Sequence, residues 1–450
     1  MIKELNIKNF KCFKDPGPII LKNFNVICGP NSSGKSSINQ TILLLLQNNK
    51  KDKKDFISSG KFVHFDEFDE MKNVDKSSSD NIEISAKNDE DKICSIKLSY
   101  SSQTGSIECV DIKSEYNMVE EKDVYFISAN RIGPEDVYNK YNENLINQFG
   151  ENAIGFLTKN KDRIIDEKYI FEKDIDKKNS LGNEIDYWLN KIIGEKINTN
   201  EIGKTNKSVA TYSRDAYNLQ VRNMNTGSGL SYLITLLVMV LSLTIKNNDI
   251  NNPLFIIENP EIHLHPTAQM NLMKFLLHMS QFGQFIIETH SDHIIKNVLD
   301  SSKDTQIIKL KNSTDVPEFY VPGSKHILPT ITLGEIQWSA FDMPTIDFHV
   351  HLFSFLQHQF ASINNTLSVN ATDDSIRTTQ AYIRDSARYE TGFPRYNSQN
   401  GTETLPTYIR NLIDHPEPNR NLYRNNDEEF NEKLKESIIL MINIIKENNW

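Results

Sequence analysis

The chain has 450 residues, 38% of them hydrophobic and 24% charged, with a formal net charge of −10. That length allows two or three domains with cores of their own, and the acidic balance excludes a protein that coats nucleic acid indiscriminately. No apolar run reaches the roughly 18 residues that a membrane span requires.

The N-terminal Met1-Ile-Lys-Glu-Leu-Asn-Ile reads as a charged strand rather than a signal peptide. Four cysteines (Cys12, Cys28, Cys94 and Cys109) form no CxxC pair and no zinc spacing, so a reducing cytoplasm is expected. Phe24-Asn-Val-Ile-Cys28 is a short apolar run that predicts a buried strand, and Ser37 to Gln47 predicts a helix. Between them, Gly29-Pro-Asn-Ser-Ser-Gly-Lys-Ser36 is a complete GxxxxGK[ST] phosphate loop. Its glycines let backbone N–H groups turn toward phosphates, Lys35 brings a charge to the β/γ-phosphates, and the Ser36 hydroxyl completes a Mg²⁺ shell. Gly29, Asn31, Ser32, Ser33, Gly34, Lys35, Ser36 and Ser37 are the expected ATP contacts.

Further along, residues 81–129 alternate in short runs, including Val124–Ile127, and predict an antiparallel β patch. Residues 135–215 are charged, with a helix expected over Leu181–Ile193. Gly227, Gly229 and Ser231 precede a long apolar helix and form a second anion nest. Leu254–Ile257 and Phe285–Ile287 are continuous apolar runs of the kind found in buried parallel strands. The first delivers Glu258, placed to coordinate Mg²⁺ with Ser36; the second leads to His290, within reach of a γ-phosphate. Residues 301–329 read as closing strands and loops.

Together these residues resemble the ABC-type ATPase heads of the RecF, SMC and OLD group, over roughly residues 1–330. The resemblance implies a split head with a mixed sheet, an antiparallel β subdomain and a short helical insertion. It implies two ATP molecules sandwiched in a head-to-head dimer, with Gly227, Gly229 and Ser231 acting in trans and His290 as a switch histidine. Phe126-Ile-Ser-Ala-Asn-Arg131-Ile-Gly-Pro134 resembles an element of the OLD-like subgroup, with no role assigned to Arg131. One departure matters. Where many members carry a second acid after the strand, this chain has Asn259, and an amide orients water without accepting its proton. Either Glu261 substitutes, hydrolysis is slow, or Glu258 is the base. His263, His265 and His293 are weighed as a metal cluster, but their spacing favours a positional role.

From Pro344 the periodicity is helical, with stretches at Asp347–Gln359, Thr372–Tyr389, Thr404–Asp414 and Glu428–Asn448 that read as a four-helix bundle. Seven of the 11 arginines lie between Arg377 and Arg424, either as phosphate forks or as surface ion pairs with neighbouring acids. Arg410-Asn411-Leu-Ile-Asp-His415-Pro416 resembles the HEPN ribonuclease motif. Arginine and histidine suit metal-free RNA cleavage, and in that family the site forms where two bundles meet. The expectation is thus an α/β head over residues 1–335 and an all-α bundle over 340–450. The chain would be an anti-phage or abortive-infection effector, a homodimer or higher even-numbered oligomer, cutting RNA such as tRNA under ATP control. A separate antitoxin or partner protein would fit. The rival readings are an ATP-binding sensor that recruits another nuclease, and a RecF-like DNA-repair ATPase.

Overall fold

A computed structural model of the chain describes residues 1–49, 51–73, 81–101, 106–139, 146–172, 179–203, 205, 207–213, 220–222, 227–245, 252–301, 304–310, 317–320, 326–384, 393–394, 402–414 and 427–450. It divides into two compact units, Met1–Gly323 and Ser324–Trp450.

The first unit opens with β1 (Ile2–Lys8), β2 (Ile19–Ile20) and β3 (Phe24–Cys28), then helix α1 (Lys35–Gln47). Strands β4 (Ile82–Asn88), β5 (Ile93–Ser101) and β6 (Ser106–Ser114) follow, then β7 (Val124–Ile127) and β8 (Tyr138–Asn139). The insertion holds α2 (Ala153–Asn160), α3 (Leu181–Ile193), β9 (Lys196–Glu201), β10 (Lys207–Ser213) and β11 (Gln220–Arg222). The chain returns through α4 (Ser228–Leu241), β12 (Leu254–Glu258), α5 (Pro266–Met279), β13 (Gln284–Glu288), α6 (Asp292–Leu299), β14 (Thr305–Lys309) and β15 (Glu318–Tyr320).

The sheet that positions the site runs β15-β14-β3-β13-β12-β7, parallel except for the edge strand β15. Its central strands are buried on both faces because they are apolar at nearly every position, with no alternation to leave one face wet. Register places aromatic rings side by side across four strands. Phe24 stacks on Phe285 (5.7 Å), Phe285 on Phe255 (4.4 Å) and Phe255 on Tyr125 (4.8 Å). The same register sets Glu258 opposite Glu288 at the strand ends.

A second sheet, β2-β1-β4-β5-β6, is antiparallel and alternates buried with half-buried residues, as the sequence pattern implies. Val124–Ile127, expected in that patch, instead pairs in parallel with β12. The physical reason is legible afterwards: Val-Tyr-Phe-Ile has no polar alternate, so it suits a strand covered on both faces. The expected helix at Leu181–Ile193 forms as predicted, capped by Ser180 and ended by Gly194 in the left-handed region. The rest of the insertion is less helical than expected. Lys207–Ser213 alternates strictly and forms β10, flanked by β9 and β11.

The second unit is helical: α7 (Leu333–Phe341), α8 (Ile346–Asn364), α9 (Val369–Arg377), α10 (Gln380–Arg384), α11 (Leu405–Asp414) and α12 (Asp427–Glu447). Its core joins Phe348, Leu352 and Leu356 of α8 with Tyr408 and Ile409 of α11 and Ile438 and Met441 of α12. The stretch expected from Thr372 is broken at Thr378 and Thr379, between α9 and α10. Helix α7 was not anticipated, although Thr332-x-x-Glu335 has capping-box spacing; Thr332 caps Glu335 N–H, and the Glu335 carboxylate turns back to Ile327 and Leu328 N–H.

Removing the ring at Phe285 should cost about 3–5 kcal/mol, read as a lower denaturant midpoint for Phe285→Ala. His349 is fully buried, its Nε2 paired with Ser437 Oγ (2.8 Å) and its Nδ1 without a partner, and burial pushes its pKa down to about 3. Because the folded value is depressed, protonation favours the unfolded chain. Stability should be full above the ordinary histidine value of 6.5 and fall progressively as pH drops toward 3. A His349→Gln variant should lose that part of the acid sensitivity in pH-dependent melting.

Candidate functional site

The phosphate loop leaves β3 in a conformation that only its own residues permit. Gly29 has φ +146°, and a Cβ there would sit 2.1 Å from the Leu310 carbonyl oxygen. Gly34 has φ +102°, and a Cβ would meet Cys12 Sγ at 2.5 Å and the Phe13 ring at 2.7 Å. Ser32 also takes positive φ. The buried Lys35 curls back over the loop, donating to the Gly29 (3.1 Å) and Pro30 (2.8 Å) carbonyls. Burial lowers its pKa and the Glu288 charge opposes that shift. Ser33 Oγ is buried without a partner. Helix α1 begins at Lys35, so its positive end faces the same space.

Three carboxylates close the other side. Ser36 Oγ donates to Glu288, 3.1 and 3.0 Å from its two oxygens, and Asn39 Nδ2 donates to Glu288 Oε2 at 3.2 Å. Burial, reinforced by the Glu258 charge, raises the Glu288 pKa to about 7. Glu258 Oε2 accepts the Ala129 N–H (3.1 Å), and burial raises its pKa as well. Glu261 Oε1 accepts from Thr289 Oγ1 (2.8 Å) and His290 N–H (2.9 Å), while its Oε2 is buried without a partner. Asn259 takes φ +42° and donates its N–H to the Glu288 carbonyl (2.8 Å). His290 is exposed overall, but partial desolvation of its ring first and the Lys35 charge second lower its pKa.

Arg131, left without a role by the sequence, is only 2% exposed. Its Nη1 donates to the Ser128 (3.0 Å) and Glu258 (2.9 Å) carbonyls and its Nη2 to the Asn259 carbonyl (3.0 Å). One guanidinium therefore fixes the peptide that carries Glu258 and Asn259. It also lies 5.6 Å from the Tyr232 ring on α4, which in turn stacks on His263 at 5.4 Å. Gly229 packs on the same turn: a Cβ there would be 2.4 Å from the His263 carbonyl oxygen.

The loop residues, Glu258, Glu261 and His290 thus meet in the first unit, with Asn31 exposed at the loop's outer side and Ser37 N–H bonded to the Gly34 carbonyl. At the second nest Gly227 is exposed, whereas Gly229 and Ser231 are buried. The three histidines weighed as metal ligands have other positions. His263 stacks on Tyr232, His265 Nδ1 caps α5 by accepting the Thr267 N–H, and His293 lies on α6. Among the described residues no group of three or more His, Cys, Asp and Glu could hold a metal.

In the second unit Arg410 pairs with Asp414 (2.5 Å) and with Asn411 Oδ1 (3.0 Å), and Asn411 Nδ2 donates to Glu403 (2.8 Å). His415 and Pro416 lie outside the described residues, as do Arg388, Arg395, Arg420 and Arg424. Arg384 pairs with Glu447 at the surface, whereas Arg377 pairs with Asp373, a buried carboxylate that also accepts from Thr404.

Sequence reasoning missed Glu288 and Asn39. A signal for Glu288 was present: Phe-Ile-Ile-Glu ends both β12 and β13. The residues fit a nucleoside triphosphate with Mg²⁺. They offer a helix N-terminus, a buried ammonium, a hydroxyl and oxygen-only donors, and Ser33 Oγ has no protein partner.

Phosphate loop, parallel sheet and strand-end acids define an ATPase domain of the P-loop class. Residues 24–296 match the family model described as "AAA domain, putative AbiEii toxin, Type IV TA system". That match spans more than half of the chain, which belongs to this family. Similar solved structures include the SMC head domain from Thermotoga maritima (12% identity, 71% of this chain and 98% of that chain, TM-score 0.36). Another is the Smc head domain with an extended coiled coil bound to the C-terminal domain of ScpA, derived from Pyrococcus furiosus (13% identity, 71% and 96% coverage, TM-score 0.43). A comparison with curated proteins gave no match.

Arg131→Met should orphan three carbonyls, one buried and two part-buried, and cost on the order of 3 kcal/mol. Arg131→Lys, which keeps the charge but not the fork, should lie between Met and wild type in denaturant unfolding.

Proposed function

We propose that the chain binds ATP with Mg²⁺ and hydrolyses it, and that this site governs an RNA-cutting second unit. The observation that carries the ATP reading is the convergence of Lys35, Ser36, Glu258 and Glu288 on one side of the phosphate loop. Lys35 and the loop N–H groups hold phosphate oxygens, and Ser36 with Glu258 holds the cation. Bound Mg²⁺ supplies charge neutralisation and a template for the triphosphate. Asn259 orients a water, and Glu261, held by Oε1 with Oε2 unpartnered, is the carboxylate that takes its proton. The exposed Gly227 at the start of α4 supports a second copy contributing in trans, hence a homodimer or higher even-numbered assembly.

The effector reading rests on the sequence motif of Arg410, Asn411 and His415, of which Arg410 and Asn411 lie on α11, and on the family's description as a putative toxin of a toxin–antitoxin system. In this reading the protein acts in the cytoplasm as an anti-phage effector. Arg410 holds the scissile phosphate, His415 handles the proton, and an antitoxin chain is a natural partner. A specific observation favours a second reading, in which the helical unit serves assembly alone: Arg410 is already ion-paired with Asp414.

Lys35→Ala should abolish binding of a fluorescent ATP analogue, while Glu258→Gln should retain binding and lose turnover. Purified protein should cleave total RNA in EDTA, and Arg410→Ala and His415→Ala should each stop it. Cleavage that requires metal, or that survives His415→Ala, contradicts the nuclease reading and leaves the assembly reading standing.

A further inference from the structure

Glu258 and Glu288 are cross-strand partners in a parallel ladder, so their side chains leave adjacent strands on the same side, with neighbouring strands about 4.8 Å apart. Like charges directly opposite one another in a sheet are destabilising, and here both groups are also withdrawn from water. The protein supplies little cationic compensation at Glu288. Its oxygens accept from a neutral hydroxyl, Ser36, and a neutral amide, Asn39, while Lys35 Nζ is engaged with loop carbonyls. A second observation points to a ligand. Asn39 is fully buried between these acids, and its Oδ1 has no partner, an acceptor that a cation's water of hydration would satisfy. Ser33 Oγ, also buried, is unpartnered in the adjoining loop.

From this geometry we infer that Glu288 is a carboxylate of the divalent-cation site. It fixes the Ser36 hydroxyl, and it shares the cation's charge with Glu258. The inference rests on the nucleotide reading above and adds to it a residue on the strand between those of the loop and Glu258. The Ser36 proton points to Glu288, which leaves the hydroxyl lone pairs for the cation. Asn39 Nδ2 holds Glu288 Oε2 from α1. A hard cation with one or two carboxylates, a hydroxyl, phosphate oxygens and water is the shell that Mg²⁺ favours.

The test is Mn²⁺ binding read by electron paramagnetic resonance on the full chain with a non-hydrolysable ATP analogue, with analogue binding followed separately by equilibrium dialysis. Glu288→Gln should weaken Mn²⁺ binding by at least about tenfold, and Glu288→Asp, which retains charge but no longer reaches Ser36, by a smaller factor of several. Glu288→Asp serves alone if Glu288→Gln does not fold. Mn²⁺ affinity within about twofold of wild type in the variant that folds overturns the assignment, even if turnover is lost. If wild type binds analogue, Lys35→Ala does not and Mn²⁺ affinity ignores Glu288, only this inference fails. If wild type binds no analogue, the nucleotide reading fails and this one falls with it.

Discussion

The parallel register of β12 on β13 is the constraint on which the site depends. It is fixed inside the sheet, where Phe255 lies beside Phe285 and Ile257 beside Ile287, in the buried core that leads up to the strand-end acids. A slip of one residue would turn every side chain of a strand to the other face. It would break the aromatic row and separate Glu258 from Glu288 at once. Core packing therefore offsets the electrostatic cost of holding two acids together, a cost that a bound cation would reduce.

The surrounding elements act on the same strand ends. Arg131 fixes the carbonyls of Glu258 and Asn259, which allows Asn259 its positive φ and sends its N–H to Glu288. Tyr232 and Gly229 bring α4 against the turn at His263. Glu261 ties that turn to Thr289 and His290 beyond β13. The loop, the strand ends and the start of α4 are thus linked by short polar and ring contacts.

Much of this was legible in the sequence. The phosphate loop with its flanking strand and helix, the two buried strands and the helix at Leu181–Ile193 all have local signals strong enough to be read singly. What was lost depended on pairing. Val124–Ile127 is too short to declare its neighbours, and only its partner β12 shows that it belongs to the parallel sheet. Arg131 lies in a recognisable element, but its role had no local signal, because two of the three carbonyls it reaches are more than a hundred residues away. Glu288 was visible as a repeat of Phe-Ile-Ile-Glu, but its meaning required knowing that the two copies lie in register. In the helical unit, α8, α11 and α12 followed the apolar periodicity, α7 did not announce itself and the stretch from Thr372 is broken, and the pairing of Arg410 with Asp414 emerged only from side-chain geometry.

The most direct measurement is an experimental structure of the full chain with Mg²⁺ and a non-hydrolysable ATP analogue. The account predicts triphosphate in the Gly29–Ser36 loop and a metal that Ser36, Glu258 and Glu288 would hold together. A loop without nucleotide, or a metal bound away from both strand-end carboxylates, would contradict it.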